Sequence, residues 1–187
     1  MSVSTVQFRL NELSISKEEI ILLTQLPEHR IHNIYLYGSR VYGTDHPGSD
    51  YDIMVVACSM DAEKEIRNGK YNIHINTPDK FKDDLWNCKA VNLECIYAPS
   101  FAILQNTTPF RDSYKLDTNR LKKSFLSQSY NAWNKGKMRI LDMDFERGLK
   151  SIFHSLRILL FGIQLVEDGE IFDFSEANYY WKLIFDK

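Results

Sequence analysis

The chain has 187 residues, of which 44% are hydrophobic and 13% aromatic, so it can fill the core of one domain or of two small ones. Its formal net charge of −2 argues against a strongly basic nucleic-acid-binding protein, although it does not exclude a local basic patch. The three cysteines are odd in number and lack CxxC spacing, which indicates reduced thiols rather than a disulfide framework or a zinc site: Cys58, Cys88 and Cys95.

The sequence predicts a soluble, cytoplasmic protein. No apolar run approaches the length of a membrane span, so we expect no membrane partner. The N-terminal stretch MSVSTVQFRLNELS lacks the charged start and apolar middle of a secretory signal.

The first part of the chain alternates short strands with helices. Ser16 and Glu19 form a capping box before an apolar run, which predicts a helix. Apolar segments predict strands over 33–37, 50–57 and 70–77. Pro78 lies near the start of a predicted short helix over 77–87. The apolar segment 91–98 is either a strand or the start of a helix.

After Pro109 the pattern becomes helical. Segments 117–137, 144–169 and 175–187 all predict helices, and the second carries an apolar stripe at helical spacing. The fold class is therefore α+β: a small mixed sheet with helices over residues 1–110, followed by a helical region over 111–187. The last segment stops inside an apolar helical pattern without a C-cap, which is typical of a truncated form of a longer protein.

The chain places two carboxylates at the start of a predicted strand. Asp50 and Asp52 are two residues apart, so on a strand their side chains point to the same face. Carboxylates this close repel each other and lose hydration when buried, and a divalent cation such as Mg²⁺ relieves both costs. Upstream, the first strand ends at Gly38 and Ser39, where backbone N–H groups and a hydroxyl can cradle a phosphate.

Each of these features alone is weak, because acidic pairs are common at exposed strand ends and glycines are common in hairpin turns. Their combination within the strings YGSRVYGT and SDYDIMVV resembles the DNA polymerase β-type nucleotidyltransferase superfamily, and more narrowly the small YcgL/RlaP-type nucleotidyltransferases. The resemblance implies that Gly38 and Ser39 hold a triphosphate and that Asp50 and Asp52 hold Mg²⁺ or Mn²⁺. Arg40 and Ser49 flank this site and could assist.

The superfamily normally has a third carboxylate on a later strand, and the corresponding strand here has none. Asn72 or His74 falls where an acid is expected. The nearest downstream candidate is Glu94, which lies in an apolar run where a carboxylate is seldom left unpaired. Glu94 is either the third catalytic, metal-binding carboxylate or a structural residue paired with a cation such as Arg157.

A second set of polar residues lies in the helical half. Lys150, His154 and Arg157 follow i, i+4, i+7 spacing and share one face of the predicted helix. They form either a solvated basic stripe or a basic wall over the nucleotide phosphates.

These features predict a nucleotidyltransferase that moves an NMP from an NTP, ATP among the candidates, to an acceptor hydroxyl with release of pyrophosphate. The acceptor is open: RNA, a protein or a small molecule. A catalytically weakened nucleotide-binding or antitoxin-like regulatory module is the alternative, and the missing third acid favours it. An ordinary structural α/β domain is the remaining possibility.

Overall fold

A computed structural model describes residues 15–59, 61 and 63–185. Its ordered elements are α1 (Lys17–Thr24), β1 (Ile31–Tyr37), α2 (Ser39–Tyr42), β2 (Tyr51–Ala57), β3 (Glu63–Asn68), β4 (Tyr71–Asn76), α3 (Pro78–Trp86), α4 (Ala90–Ile96), β5 (Ile103–Asn106), α5 (Phe110–Ser113), α6 (Thr118–Leu141), α7 (Phe145–Glu167) and α8 (Asn178–Phe185). Short 3₁₀ turns lie at Glu28–Arg30 and Ser100–Ala102. The N-terminal stretch that was predicted to lack a secretory signal lies outside the described residues.

The five strands form one mixed sheet in the order β3-β4-β2-β1-β5. Strands β2 and β4 are parallel, and every other neighbouring pair is antiparallel. The central strands β1 and β2 are almost wholly buried because both of their faces are covered. With helices around this sheet and only helices after it, the α+β fold class is confirmed.

Two strands were not predicted from the sequence, and both lie at edges of the sheet. Strand β3 is largely exposed, and its charged sequence EKEIRN lacks the apolar alternation that marks a half-buried strand. Strand β5 has only four residues and no fully buried one. Segment 91–98, for which the sequence did not decide between a strand and a helix, lies mostly in helix α4, and Glu94 is part of that helix.

Helices cover both faces of the sheet. The Tyr71 hydroxyl on β4 donates to the Glu19 carboxylate, which ties α1 to one face. On the other face Tyr35 of β1 stacks on Phe81 of α3, with ring centroids 6.2 Å apart. The side chains of Asp52 and Tyr35 lie on this second face, since residues paired in register or two apart share a face.

Helices α6 and α7 form a long antiparallel hairpin after the sheet. They approach closely at Gly136, where an added Cβ would lie 2.8 Å from the backbone oxygen of Gly148. The predicted division between residues 110 and 111 stays a prediction, although no strand follows Asn106 among the described residues.

Helix α7 departs from the expectation that no apolar run reaches the length of a membrane span. Within the described residues, Phe145–Glu167 is the single helix long and apolar enough to cross a membrane by length and composition. This is weak evidence, because the core helix of a soluble protein passes the same test. Phe153, Phe161 and Leu165 of α7 are almost completely buried within the protein.

Candidate active site

The turn after β1 requires glycine for two independent reasons. Gly38 has φ +81°, a left-handed backbone conformation that residues with a Cβ rarely adopt. A Cβ at this position would also lie 2.5 Å from Oδ2 of Asp52. The backbone of the turn is therefore in direct contact with the carboxylate of the next strand, and Ser39 begins α2 immediately beyond it.

The two aspartates are held in different environments. Asp50 is exposed and lies just before β2, whereas Asp52 is on β2 and pairs in register with Tyr37, the last residue of β1. Burial raises the pKa of Asp52, and the nearby charge of Asp50 raises it further. A partly buried carboxylate with a second carboxylate near it is typical of a site that takes up a cation.

Asn72 occupies the place where a third acid was expected. It is the register partner of Asp52 on the parallel strand β4, while His74 pairs with Met54 two residues further on. The Asn72 Nδ2 group donates to Oδ1 of Asp52 over 2.9 Å, and this hydrogen bond opposes the rise in the Asp52 pKa. The Asn72 Oδ1 atom is buried and has no hydrogen-bond partner in the described structure.

Glu94 lies in the core, on a helix rather than a strand. Its side chain is 1% exposed and accepts a hydrogen bond from the hydroxyl of Tyr42, at the end of α2. Burial raises the pKa of Glu94 to about 7, opposed by the Tyr42 hydrogen bond and by the charge of Arg157. Among the described residues no group of three or more His, Cys, Asp or Glu side chains is arranged to hold a metal ion.

Arg40 and Ser49 hold the loop between α2 and β2. The Arg40 guanidinium donates to the backbone oxygens of Ser49 at 2.5 Å and Asp50 at 3.3 Å, and it lies 3.9 Å from the centre of the Tyr51 ring. The Ser49 hydroxyl accepts from the backbone N–H of His46 over 2.9 Å. These contacts fix the position of the loop that leads into the aspartate pair, and nucleotide binding by either side chain stays a prediction.

The three basic residues of α7 have different surroundings. Lys150 pairs with Glu146 at the surface over 2.6 Å. Burial and, next in size, the positive charge of Arg157 together lower the pKa of His154 to about 4, so this imidazole is neutral near pH 7. Arg157 is buried, with its guanidinium 3.9 Å from the centre of the Tyr42 ring. Of the three, Arg157 contacts the helix that follows the glycine turn.

Two residues of this region had no signal in the sequence. They are Tyr42, whose hydroxyl donates to Glu94 and whose ring lies against the Arg157 guanidinium, and Asn178 of α8, which bonds to both Tyr42 and Arg157. The Asn178 Nδ2 group donates to the Tyr42 backbone oxygen over 2.7 Å, and its Oδ1 accepts from Arg157 over 3.1 Å. Residues separated by more than 130 positions thus share one buried network, which no local pattern reveals.

A divalent cation fits the residues present. Asp50 and Asp52 supply carboxylate oxygens, and Asn72, whose Nδ2 group contacts Asp52, has a buried carbonyl oxygen with no partner among the described residues. Mg²⁺ prefers such oxygen ligands and keeps positions open for phosphate.

The fold and this site define a class: a mixed-sheet domain in which a glycine turn after one strand is in contact with an acidic pair on the next. Residues 18–96 match the family model for polymerase beta nucleotidyltransferases. That part of the chain is similar to the nucleotidyltransferase family, and it contains Gly38, Ser39, both aspartates and Glu94. The match supports a transferase function.

A solved structure adds only a remote likeness. The crystal structure of a nucleotidyltransferase-like protein from Exiguobacterium sibiricum aligns with a TM-score of 0.35 and 13% identity, over 85% of this chain and 60% of that one. The chain thus spans under two thirds of that protein. No curated protein matches the sequence significantly.

Proposed function

We propose that this protein is a divalent-metal-dependent nucleotidyltransferase that transfers an NMP from an NTP to an acceptor hydroxyl and releases pyrophosphate. The observation that carries the proposal is the contact between Gly38 and Asp52, which brings a turn suited to phosphate against a carboxylate suited to a cation. The family match of residues 18–96 supports the same chemistry.

The turn would bind the triphosphate. Ser39 and Arg40 lie in the first turn of α2, so their backbone N–H groups have no acceptor within the helix. The Ser39 hydroxyl adds a donor beside them. The lack of a Cβ at Gly38 lets the phosphate oxygens approach the backbone closely.

Asp50, Asp52 and the Oδ1 atom of Asn72 would hold Mg²⁺ or Mn²⁺. The cation supplies charge neutralisation for the triphosphate and lowers the pKa of an oxygen bound to it. Asn72 also donates to Asp52 and so fixes the orientation of that carboxylate. Glu94 as a further metal ligand stays a prediction, which the pH experiment below tests.

In the reaction the acceptor oxygen forms a bond to the α-phosphorus while the bond from this phosphorus to the bridging α–β oxygen breaks. Pyrophosphate leaves with the electrons of the broken bond, and the hydroxyl proton passes to solvent or to a nearby carboxylate. Because the protein does little covalent chemistry in such a step, its contribution is to position the reactants and stabilise charge. The acceptor is an RNA, a protein or a small molecule.

The test is incubation with each labelled NTP, Mg²⁺ and total cellular RNA or protein. We expect one class of acceptor to become labelled, with equimolar pyrophosphate release that Asp52→Asn abolishes. Absence of both labelling and pyrophosphate release, in protein that NTP and Mg²⁺ stabilise against heat, would favour the alternative.

The alternative is a nucleotide-binding module with weakened catalysis, such as an antitoxin-like regulator. The observation that favours it is the neutral Asn72 in place of a third carboxylate on β4. A protein that NTP and Mg²⁺ fail to stabilise would contradict both functions.

A further inference from the structure

Helix α2 follows directly on the proposed phosphate-binding turn, and it is too short to hold its own position. It runs only from Ser39 to Tyr42 and is flanked by Gly38 and Gly43, both with positive φ. Isolated helices shorter than about 12–15 residues are marginal in water. The position of α2 therefore depends on its contacts with the rest of the protein.

Tyr42, the last residue of α2, is held by side chains from both halves of the chain. It is 5% exposed, and its hydroxyl donates to Glu94 of α4. Its ring centre lies 3.9 Å from the guanidinium carbon of Arg157 and 6.1 Å from the ring centre of Phe161, both on α7. Helix α7 thus packs directly on the end of α2.

Asn178, the first residue of α8, bonds to the backbone at the same place. The Tyr42 backbone oxygen lies at a helix end, where carbonyl groups have no donor within the helix. The Asn178 Nδ2 group donates to it over 2.7 Å, and the Asn178 Oδ1 atom accepts from Arg157 over 3.1 Å. Because a guanidinium only donates and a backbone oxygen only accepts, the orientation of the Asn178 amide is set.

The segment that leads into α8 is itself fixed to α7 by Gln164, which is 4% exposed. The Gln164 Nε2 group donates to the backbone oxygen of Asp173 over 3.0 Å and to Glu176 over 2.6 Å. Its Oε1 atom accepts from the backbone N–H groups of Phe172 and Asp173 over 3.0 and 3.1 Å. These four hydrogen bonds determine where Asn178 lies.

Packing alone does not require this set of polar residues. Arg157 is 3% exposed, and burying a charged guanidinium is costly. Well-packed apolar side chains often replace buried charged groups without loss of stability. A buried arginine and an asparagine that both contact Tyr42 therefore indicate a need to fix the location of that tyrosine.

A shift of Tyr42 would be passed on to the glycine turn. The N–H groups of Val41 and Tyr42 donate to the Gly38 backbone oxygen over 3.0 and 3.1 Å, and the Gly43 N–H group donates to that of Ser39 over 2.9 Å. One helical turn is only about 5.4 Å long, so the two ends of α2 move together.

We propose that Asn178 and Arg157 are positioning residues of the proposed active site: by holding Tyr42, they keep Gly38 and Ser39 where the turn binds the triphosphate. The inference rests on the proposed function and gives the helical half of the chain a part in it. In this role neither side chain touches the nucleotide.

The experiment compares Asn178→Ala and Asn178→Asp with wild type by calorimetric titration with tripolyphosphate and Mg²⁺. The aspartate still accepts from Arg157 but cannot donate to the Tyr42 backbone oxygen. We expect the Kd for tripolyphosphate to rise about 3- to 10-fold in both variants, the size of one lost hydrogen bond. The melting temperature of Asn178→Asp should nevertheless equal or exceed that of Asn178→Ala, because its pairing with Arg157 is kept.

The matched control is Asn131→Ala, which changes an exposed asparagine of α6 and should leave the Kd unchanged. Arg157→Lys keeps the charge but loses the planar group that lies on the Tyr42 ring, so it should weaken tripolyphosphate binding as the Asn178 variants do.

Amide hydrogen exchange gives a second readout that needs no ligand. The Tyr42 and Gly43 N–H groups should exchange faster in both Asn178 variants, relative to amides in the centre of β2. A substitution that only lowers global stability would instead accelerate the most protected amides of the sheet as well.

Tripolyphosphate affinity equal to that of wild type in folded Asn178→Ala and Asn178→Asp would overturn the inference, whatever their melting temperatures. If wild type itself does not bind tripolyphosphate with Mg²⁺, the proposed function is contradicted. The exchange rates of α2 then decide whether Asn178 holds the turn, and unchanged rates would overturn that as well.

Discussion

Replacing Glu94 by glutamine should change how the stability of this protein depends on pH. The Tyr42 hydroxyl keeps an acceptor in Glu94→Gln, but the ionisable group is gone. In the wild type, burial raises the pKa of Glu94 from 4.5 to about 7. A shift of this size corresponds to about 3 kcal/mol between the two protonation states.

The direction in which the unfolding free energy changes with pH follows from the linkage between proton binding and folding. Because the folded pKa lies above the unfolded one, Glu94 contributes its full stability below pH 4.5 and loses it as the pH rises to about 7. The free energy of unfolding of wild type minus that of Glu94→Gln should therefore fall by about 3 kcal/mol across this window. His154 and Arg157 are common to both proteins, so their contributions largely cancel in the difference.

The assay is urea unfolding of both proteins at a series of pH values from 4 to 8, with turnover per folded molecule measured on the same preparations. Tyr42→Phe is the companion variant: it removes the hydrogen bond that favours the Glu94 carboxylate, so the loss of stability should begin at the same pH and extend to higher pH. A difference in unfolding free energy that is constant across the window would refute the reasoning.

The same preparations test the catalytic role of Glu94. If Glu94 acts as a metal ligand, turnover in Glu94→Gln should fall far more than NTP binding does. If it instead supports Tyr42 and Arg157, stability changes and turnover per folded molecule stays near that of wild type. Full activity in a variant with altered stability would leave Asp50 and Asp52 as the carboxylates of the site.

Asp50→Asn and Asp52→Asn should abolish pyrophosphate release and leave the metal-free protein at least as stable as wild type, because a repulsion is removed; near-normal activity in either would contradict the metal assignment. Gly38→Val should destabilise the protein as well as weaken NTP binding, since its Cβ meets the Asp52 carboxylate at 2.5 Å, and calorimetry with a non-hydrolysable NTP plus a melting curve measures both. Ser39→Ala should cost about 1.5–3 kcal/mol of NTP affinity, one hydrogen bond to a charged group, and an unchanged affinity would place the triphosphate elsewhere. Gly136→Ala should lower the unfolding free energy by about 1–3 kcal/mol, because its Cβ meets a backbone oxygen of the neighbouring helix; a melting temperature equal to that of wild type would show that the helices can separate without cost.

The sequence alone predicted which residue types lie together in the segment that matches the nucleotidyltransferase family model. Gly38, Ser39, Asp50 and Asp52 could be predicted as site residues because their spacing along two strands and the turn between them is a short-range property, and their roles stay predictions. The α+β class followed in the same way, from apolar periodicity within single segments. Strands β3 and β5 were missed because edge strands gain their order from a neighbouring strand rather than from their own apolar pattern.

Only the tertiary structure decided what surrounds these residues. Glu94 lies on a helix and bonds to Tyr42, and Arg157 approaches the same tyrosine from the far half of the chain. Asn72 becomes the neighbour of Asp52 because β4 pairs with β2 in parallel, a register that no local pattern contains. Contacts between distant segments depend on how whole elements pack, so residue type and spacing cannot specify them.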